Sequence, residues 1–206
     1  MNSTELRTMV TVAEARARAR RADDLVREAA DRAGLIDVAI GVVDSPLGEL
    51  FVAVTRKGVA CVGFDDQDRA ALEDRFADGL SPRVVMSSRA TDDVRKQLDE
   101  YFGGARRDFD LAVDHRLMSP FVRKVMAETA KVPYGEVSTY GRLATRLRHP
   151  EAARAVGAAL GSNPIPIVLP CHRIIGASGK LVGYAGGLQR KEFLLRLEGD
   201  PTLFPG

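Results

Sequence analysis

The sequence predicts an α+β fold with an N-terminal antiparallel sheet and helices, followed by a mostly helical C-terminal part. Alternating apolar residues and short turns dominate residues 36–64, which is typical of strands in a meander. From residue 119 onward, capping residues and apolar spacings of three and four predict successive helices. We therefore divide the chain into an extension (1–34), an α+β domain (35–115) and a helical domain (116–206).

Length and charge limit the classes of protein to consider. At 206 residues the chain can bury a substantial core, and no stretch approaches the length of a transmembrane helix. The net charge of +2 conceals an asymmetry, because residues 116–206 hold 13 Lys and Arg against 6 Asp and Glu, whereas residues 1–115 hold 17 against 22. A basic half is typical of a surface that meets phosphates, although ordinary solvated charge gives the same balance.

The ends of the chain and its cysteines indicate a compartment. The N-terminus lacks the apolar core of a signal peptide and holds too many acids for a typical transit peptide. The two cysteines, Cys61 and Cys171, lie in separate contexts and give no disulfide framework. We therefore expect a cytoplasmic protein.

The N-terminal extension is predicted to hold one surface helix over residues 13–33. Opposite charges four residues apart, such as Glu14 and Arg18, support it, and Gly34 is suited to end it. An arginine cluster in this helix is open to two interpretations, a nucleic-acid contact or a solvated face, and the interleaved acids favour the second. The cluster comprises Arg16, Arg18, Arg20 and Arg21. The role of the extension stays open.

The α+β domain offers elements but no recognisable chemistry, and we expect it to support its neighbour. Thr91 is the expected N-cap of its second helix, which Gly103 and Gly104 end. The predicted elements are strands at 36–42, 50–55 and 59–64, a helix at 67–77, a short strand at 84–86, a helix at 92–102 and an extended segment at 109–113.

The C-terminal domain is predicted to contain four helices. The helices are expected at 120–131, 138–147, 150–160 and 188–197. Ser119 and Pro120 are typical of an N-cap and first helical position, and Gly199 is typical of a helix stop. Two short helices joined by a brief connection, 138–147 and 150–160, predict a helix-turn-helix with the second as recognition helix. This domain would be winged-helix-like and would contain Cys171.

The stretch 165–175, Ile-Pro-Ile-Val-Leu-Pro-Cys-His-Arg-Ile-Ile, is the most informative in the chain. Its apolar run predicts a strand that ends at Pro170 and presents Cys171 at a turn. A thiol is a nucleophile only as thiolate, and the basic groups of His172 and Arg173 would favour that form. On residue types alone, a buried cysteine followed by two solvated basic residues remains open.

A series of short motifs surrounds this stretch between residues 133 and 199. They are PYGEV at 133–137, STY at 138–140, ARAVG at 153–157, SNP at 162–164, PCHR at 170–173, GYAGGL at 183–188, KEFLL at 191–195 and EG at 198–199. In order and spacing, these motifs resemble those of the O6-alkylguanine-DNA alkyltransferases, the methylated-DNA–protein cysteine methyltransferases.

The resemblance implies a direct chemical repair of DNA. Cys171 would accept an alkyl group from guanine O6, and less readily from thymine O4, in an irreversible transfer that allows one turnover per molecule. His172 would take the thiol proton through a water, and Glu198 would orient and charge His172. The resemblance implies no cofactor. Some relatives bind zinc in the N-terminal domain, but Cys61 alone in that half cannot build a four-ligand Cys/His site, so we expect no metal.

An O6-alkyl group lies inside the duplex, so the base has to be flipped into a pocket. The resemblance assigns Arg154 to the gap left in the stack and Tyr140 to turning out the nucleotide and contacting the base. Ala185 stands where many relatives carry serine, which leaves the alkyl preference open. Further contacts are expected with DNA from Ala153, Gly157 and Arg173, and with the base pocket from Asn163, Ile174, Tyr184, Ala185 and Gly186.

The expected partner is double-stranded DNA that contains O6-alkylguanine, bound by a monomer without a membrane or a protein partner. Three alternatives were weighed. An alkyltransferase-like lesion sensor has tryptophan in place of the cysteine, so Cys171 argues against it. A helix-turn-helix transcription regulator needs groove-reading side chains, and the alanine-rich 151–159 offers few. A thiol hydrolase would lose the alkyl group to water instead of retaining it.

Overall fold

The computed structural model describes Gly34, residues 36–65 and residues 69–199, together with scattered positions between 14 and 29. The helix expected over 13–33, with its arginine cluster, lies largely outside the described residues. Within the described ranges, no helix is long and apolar enough to cross a membrane.

A four-stranded sheet with the order β3-β2-β1-β4 forms the first half. Its strands are β1 (Val38–Val43), β2 (Leu50–Thr55), β3 (Gly58–Phe64) and β4 (Val84–Met86). The predicted meander is confirmed, since β1–β2 and β2–β3 pair antiparallel. The short strand β4 pairs in parallel with β1, so the sheet is mixed. Helix α1 (Arg69–Gly79) lies in the crossover that carries the chain from one sheet edge to the other.

The segment 109–113 pairs with the sheet through a single bridge. It was expected as an extended piece, and its sole bridge joins Val113 to Val59 in the described sheet region. Next to this bridge, the backbone of Ala112 lies close to Gly58. The φ of Gly58 is +122°, and a Cβ there would lie 2.1 Å from the Ala112 carbonyl oxygen. Only glycine fits this turn, because the left-handed region and the missing Cβ are both needed.

Helix α2 (Asp92–Phe102) has the bounds that its sequence predicts. Leu98 and Tyr101 on its apolar face are fully buried, and they bring this helix against the second half of the chain. Thr91 precedes the helix as expected, but its hydroxyl donates to the Ser87 and Ser88 carbonyls instead of capping the helix.

The second half contains α3 (Pro120–Thr129), α4 (Tyr140–Arg146), α5 (Ala153–Gly161) and α6 (Leu188–Glu198). Ser119 caps α3 and Thr139 caps α4, each by accepting a backbone N–H three residues on. The α4–turn–α5 unit is the predicted helix-turn-helix. Helix α4 starts two residues later than expected, because β5 (Ser138–Thr139) pairs in parallel with β6 (Ile174–Ile175).

The strand expected before the cysteine is absent. Residues 165–169 form a buried tight turn, closed by the Leu169 N–H donating to the Ile165 carbonyl at 2.9 Å, with Ile167 at a φ of +74°. Prolines at 164, 166 and 170 remove three backbone donors, so this run cannot sustain a ladder. A single 3₁₀ turn, Cys171–Arg173, follows directly. Its three side chains are buried and extend into different surroundings.

The two halves share one hydrophobic core, which contains side chains from the sheet, α2, α3 and α6. The end of β3 joins them most directly. Its Val62 N–H donates to the Pro164 carbonyl at 2.9 Å. Arg190 of α6 forms an ion pair with Asp65 at 2.6 Å and lies 4.5 Å over the Phe64 ring. The sheet therefore supports the segments on both sides of the cysteine.

Candidate active site

Cys171 begins the 3₁₀ turn and is 7% exposed. Asn163 holds its sulfur, since Nδ2 donates to Sγ at 3.1 Å and to the Leu169 carbonyl at 3.0 Å. The Asn163 Oδ1 accepts the Ile165 N–H at 3.0 Å. The buried amide thus ties the proline-rich turn, which links α5 to the cysteine, to the sulfur.

The thiol of Cys171 rests in its neutral form. Burial raises its pKa to about 11, although the hydrogen bond from Asn163 and the charge of Lys191 both lower it. The neighbouring basic residues therefore do not make the thiolate the resting form. A base has to remove the proton before the sulfur can act as a nucleophile.

His172 and Glu198 form a buried pair beside the thiol. The His172 ring is fully buried and its Nε2 lies 2.9 Å from Glu198 Oε1. Burial alone would raise the pKa of the Glu198 carboxyl, but the bonds and charges of His172 and Arg173 lower it to about 2. Because Glu198 is ionised, Nε2 carries the proton and donates it. Burial lowers the pKa of His172, so its ring is neutral and its Nδ1, buried without a partner among the described residues, can accept a proton.

Arg173 belongs to this buried cluster, and its burial argues against the DNA contact expected from it. The residue is 5% exposed. Its Nε donates to Glu198 Oε2 at 2.8 Å, Nη2 to Oε1 at 2.9 Å, and Nη1 to the Val132 carbonyl at 2.7 Å. The guanidinium faces away from solvent because a buried carboxylate requires a charged partner. Its charge is paired with the Glu198 carboxylate inside the protein.

The remaining expected DNA contacts lie on the helix-turn-helix. Arg154 is exposed on α5 and forms no ion pair with a described residue. Ala153 and Gly157 are half-buried on the same helix. A Cβ at Gly157 would lie 3.6 Å from the Tyr140 ring, so the first residue of α4 packs closely on α5. The Tyr140 hydroxyl donates to the Val182 carbonyl at 2.8 Å.

The expected pocket wall lies in the loop before α6. The Tyr184 ring packs edge-on against Phe64 with centroids 6.2 Å apart, and its buried hydroxyl lacks a hydrogen-bond partner in the described part of the chain. Ala185 is exposed, and Ile174 is fully buried. Gly186 was expected to admit a base. A Cβ there would lie 2.5 Å from the Phe64 ring, so the glycine is needed for the approach of the N-terminal sheet.

Sequence reasoning missed the role of Lys191, which it noted only within a motif. The residue is fully buried, and its Nζ donates to the carbonyls of Ile174 at 2.6 Å, Val182 at 3.0 Å and Gly183 at 3.3 Å. Burial lowers its pKa to about 8, while the nearby Cys171 raises it. The ammonium group therefore supplies the positive charge that the sulfur senses, and it holds the loop that Tyr140 also binds.

A signal for Lys191 was present in the helical spacing. Positions 191, 194, 195 and 198 lie on one face of α6, and all four are buried. The leucines at 194 and 195 mark that face as internal, so the lysine and the glutamate on it have to find buried partners. A second missed residue, Tyr101, lies on the buried face of α2 by the same spacing, but no local pattern identifies its partner Glu198, which is 97 positions away in the chain.

Comparisons with known proteins agree with this geometry. The family model described as 6-O-methylguanine DNA methyltransferase, DNA binding domain, matches residues 120–200. The model described as 6-O-methylguanine DNA methyltransferase, ribonuclease-like domain, matches residues 38–115.

The similarity extends over most of each relative. A methylated-DNA–protein-cysteine methyltransferase of Methanosarcina acetivorans is 38% identical over 160 residues, which cover 77% of this chain and 97% of the relative. One from Mycolicibacterium paratuberculosis is 43% identical over 156 residues, covering 76% and 89%. The crystal structure of Mycobacterium tuberculosis OGT in complex with DNA matches with a TM-score of 0.69 at 37% identity, covering 81% of this chain and 99% of that one. The chain belongs to the 6-O-methylguanine DNA methyltransferase family.

Proposed function

We propose that this protein repairs DNA by transferring an alkyl group from guanine O6, and less readily from thymine O4, irreversibly to Cys171. The observation that carries this proposal is a thiol next to a neutral, buried histidine that is paired with an ionised glutamate. Membership of the family supports the same reaction, since its curated relatives are named methylated-DNA–protein-cysteine methyltransferases. The protein is then a transferase that acts once per molecule.

The proposed reaction is an in-line displacement at the alkyl carbon. The thiol proton passes through a water to His172 Nδ1, and the sulfur attacks the carbon. An S–C bond forms, the bond between carbon and O6 breaks, and its electron pair leaves with guanine. Glu198 stabilises the imidazolium, and the Lys191 ammonium stabilises the thiolate before attack. The Ala185 backbone N–H stabilises the charge that develops on guanine, and the Tyr140 hydroxyl does so once it has turned away from the Val182 carbonyl.

Duplex DNA binds through the helix-turn-helix in this proposal, and the lesion base is flipped toward Cys171. The small side chains of Ala153 and Gly157 allow α5 to approach the DNA closely, and Arg154 fills the gap in the stack. Tyr140 and the loop that carries Tyr184, Ala185 and Gly186 receive the base, with Asn163 and Ile174 behind the sulfur. Residues 116–206 act as the DNA-binding domain and residues 35–115 as its support.

We further place the protein in the cytoplasm, as a monomer without a protein partner. Both cysteines are free, which suits a reducing compartment. DNA that contains O6-alkylguanine is the proposed partner, and the DNA complex solved for a family member supports it.

Peptide mass mapping after incubation with a duplex oligonucleotide containing O6-methylguanine tests the proposal. We expect one methyl group per protein molecule, located on Cys171, and no further turnover. A methyl group on another residue, or several turnovers per molecule, would contradict the proposal. Release of labelled methyl to water would identify a thiol hydrolase instead.

Arg154→Ala is expected to slow repair of duplex DNA at least about tenfold while changing the reaction with free O6-benzylguanine by less than about twofold. The free base needs no flipping, so it does not depend on a side chain that fills the stack. The measurement is the single-turnover rate of alkyl transfer from each substrate.

The matched control is Arg95→Ala, which removes an exposed arginine of α2 that pairs with Asp92. We expect this variant to react like the wild type with both substrates, because α2 lies outside the proposed DNA surface. Equal losses on duplex and free base in Arg154→Ala would show that Arg154 shapes the pocket instead.

A further inference from the structure

The N-terminal half contributes one side chain directly to the buried pair. Tyr101 lies in the last turn of α2 and is fully buried. Its hydroxyl donates to Glu198 Oε1 at 2.7 Å, across 97 positions of the chain. The support role expected for residues 35–115 therefore includes a hydrogen bond to the carboxylate that charges His172.

The carboxylate of Glu198 is shared between donors from two parts of the chain. Its Oε1 accepts from Tyr101 at 2.7 Å, from His172 Nε2 at 2.9 Å and from Arg173 Nη2 at 2.9 Å, while Oε2 accepts from Arg173 Nε at 2.8 Å. Since Tyr101 and His172 bond to the same oxygen, they compete for the same negative charge. Any charge that the tyrosine hydroxyl neutralises is withdrawn from the histidine.

The hydroxyl of Tyr101 is a permanent donor in a fixed place. Burial and the adjacent Glu198 raise its pKa well above the ordinary value, so it keeps its proton. Its ring is enclosed by three others, with centroid distances of 5.4 Å to Phe102, 5.3 Å to Phe109 and 6.2 Å to Tyr134. The ring cannot swing away from Glu198 without disturbing this aromatic cluster.

We propose that Tyr101 is a positioning residue for alkyl transfer, which holds the Glu198 carboxylate toward His172 and limits how much of its charge the imidazole receives. The proposal rests on the function proposed above. It makes α2 of the N-terminal half a part of the proton-transfer machinery, acting through Glu198 and not on the substrate.

The other charged and titratable groups around His172 shift its pKa in directions that follow from the sign of their charge. Arg173 and Lys191 lower its pKa, and Glu198 raises it. Lys191 also faces Cys171, and Tyr134 and Tyr184 sense the charge of Glu198 from α3's following loop and from the pocket loop. None of these groups changes in a Tyr101→Phe variant, so any shift in that variant reports the missing hydroxyl.

Tyr101→Phe is expected to raise the pKa of His172 by about half to one unit, because Oε1 then leaves more negative charge for the imidazole. A more basic His172 is protonated already at higher pH and cannot take the thiol proton there. In a plot of transfer rate against pH, the rate falls on the acid side as His172 becomes protonated. This acid limb therefore moves to higher pH by a similar amount. Transfer on that limb slows by about three- to tenfold, and the thioether still forms on Cys171.

Two measurements test this on the full-length protein. The first is the single-turnover rate against pH with O6-methylguanine duplex DNA. The second is an NMR titration of His172, whose signals have to be distinguished from those of only two other histidines in the chain. If Tyr101 were merely structural, Tyr101→Phe would lower the melting temperature and leave both the acid limb and the His172 titration unchanged. That result would overturn the proposal.

Tyr134→Phe is the matched control. It removes a hydroxyl from the same aromatic cluster, but that hydroxyl donates to the Leu197 carbonyl at 3.0 Å and not to Glu198. The ring that faces Arg173, with the guanidinium carbon 5.8 Å from the ring centroid, is retained. We expect its acid limb to match that of the wild type. An equal shift in both variants would assign the effect to the cluster and not to the bond from Tyr101.

The double variant Tyr101→Phe with Glu198→Gln separates the two proposals. Without the carboxylate, removing the tyrosine hydroxyl should produce no additional shift of the acid limb. A shift that persists would show that Tyr101 acts by another route. Failure of the wild type to place a methyl group on Cys171 would instead contradict the proposed function itself.

Discussion

Cys171→Ser is expected to abolish alkyl transfer at every pH at which the protein is folded, a loss on the order of 10⁴-fold or more. A serine hydroxyl is far less acidic than a thiol whose pKa is already about 11, so neither His172 nor mild alkali can generate the nucleophile. The Asn163 amide can still donate to the smaller oxygen, and the helix-turn-helix is untouched. Binding of lesion-containing duplex DNA should therefore persist while the single-turnover rate falls to background.

Cys61→Ala serves as the control for this variant. Cys61 is buried in β3, and burial raises its pKa to about 11 as well. Among the described residues its core neighbours are apolar, such as Val38, Ile40 and Phe76, so its removal should leave transfer to Cys171 unchanged. Residual methyl transfer to the protein in Cys171→Ser would mean that another residue accepts the alkyl group.

Glu198→Gln is expected to slow transfer about 10²-fold at neutral pH and to leave lesion binding nearly intact. A carboxylate stabilises the imidazolium that forms when His172 takes the thiol proton, whereas a neutral amide cannot. Raising the pH should restore part of the rate, because hydroxide then removes the thiol proton without the histidine. The single-turnover rate is measured against pH, with DNA binding followed separately.

Glu192→Gln provides a matched comparison on the same helix. Glu192 is exposed and pairs with Arg196 at 2.9 Å, so the same chemical change removes only a surface ion pair. We expect a wild-type rate from it. If Glu198→Gln also matched the wild type across the pH range, Glu198 would be a structural residue at a helix end.

The stability of the fold should change with the same substitution. The folded-state pKa of Glu198 is about 2, below its ordinary value of 4.5, so ionised Glu198 stabilises the fold. That contribution is complete above pH 4.5 and is lost as the pH falls toward 2. The free energy of unfolding of Glu198→Gln should therefore be lower than that of the wild type at neutral pH, and the difference should shrink within this window.

Local patterns predicted the elements whose residues carry their own signals. Helix α2 has its predicted bounds because Val94, Leu98 and Tyr101 follow the helical period and two glycines stop the chain. Helix α6 ends one residue beyond its expected end, where Gly199 takes the left-handed conformation with a φ of 71°. This stop leaves Glu198 at the buried end of the helix, as the relay requires.

Predictions failed where the composition of an apolar run or of a short polar pair was compatible with two local structures. The run 165–169 is as apolar as a buried strand, and burial rather than sheet formation accounts for that composition. Ser138 and Thr139 are equally suited to start a helix or to precede one, and their pairing with β6 decided the matter. For this pair the deciding partner lies far away in the chain, whereas in 165–169 the prolines already argued locally against a ladder.

The sequence determined the reacting group and its surroundings in outline: Cys171, followed by His172 and Arg173, with Glu198 at a helix end and a family resemblance to assign their chemistry. The tertiary structure decided which partner each charged side chain contacts. Neighbouring residues of a 3₁₀ turn diverge, so Arg173 joins Glu198 inside the protein, while Lys191 reaches the sulfur's surroundings from α6. It also brought Tyr101 to Glu198, since a hydrogen bond between residues 97 positions apart depends on how two halves pack and leaves no local pattern to read.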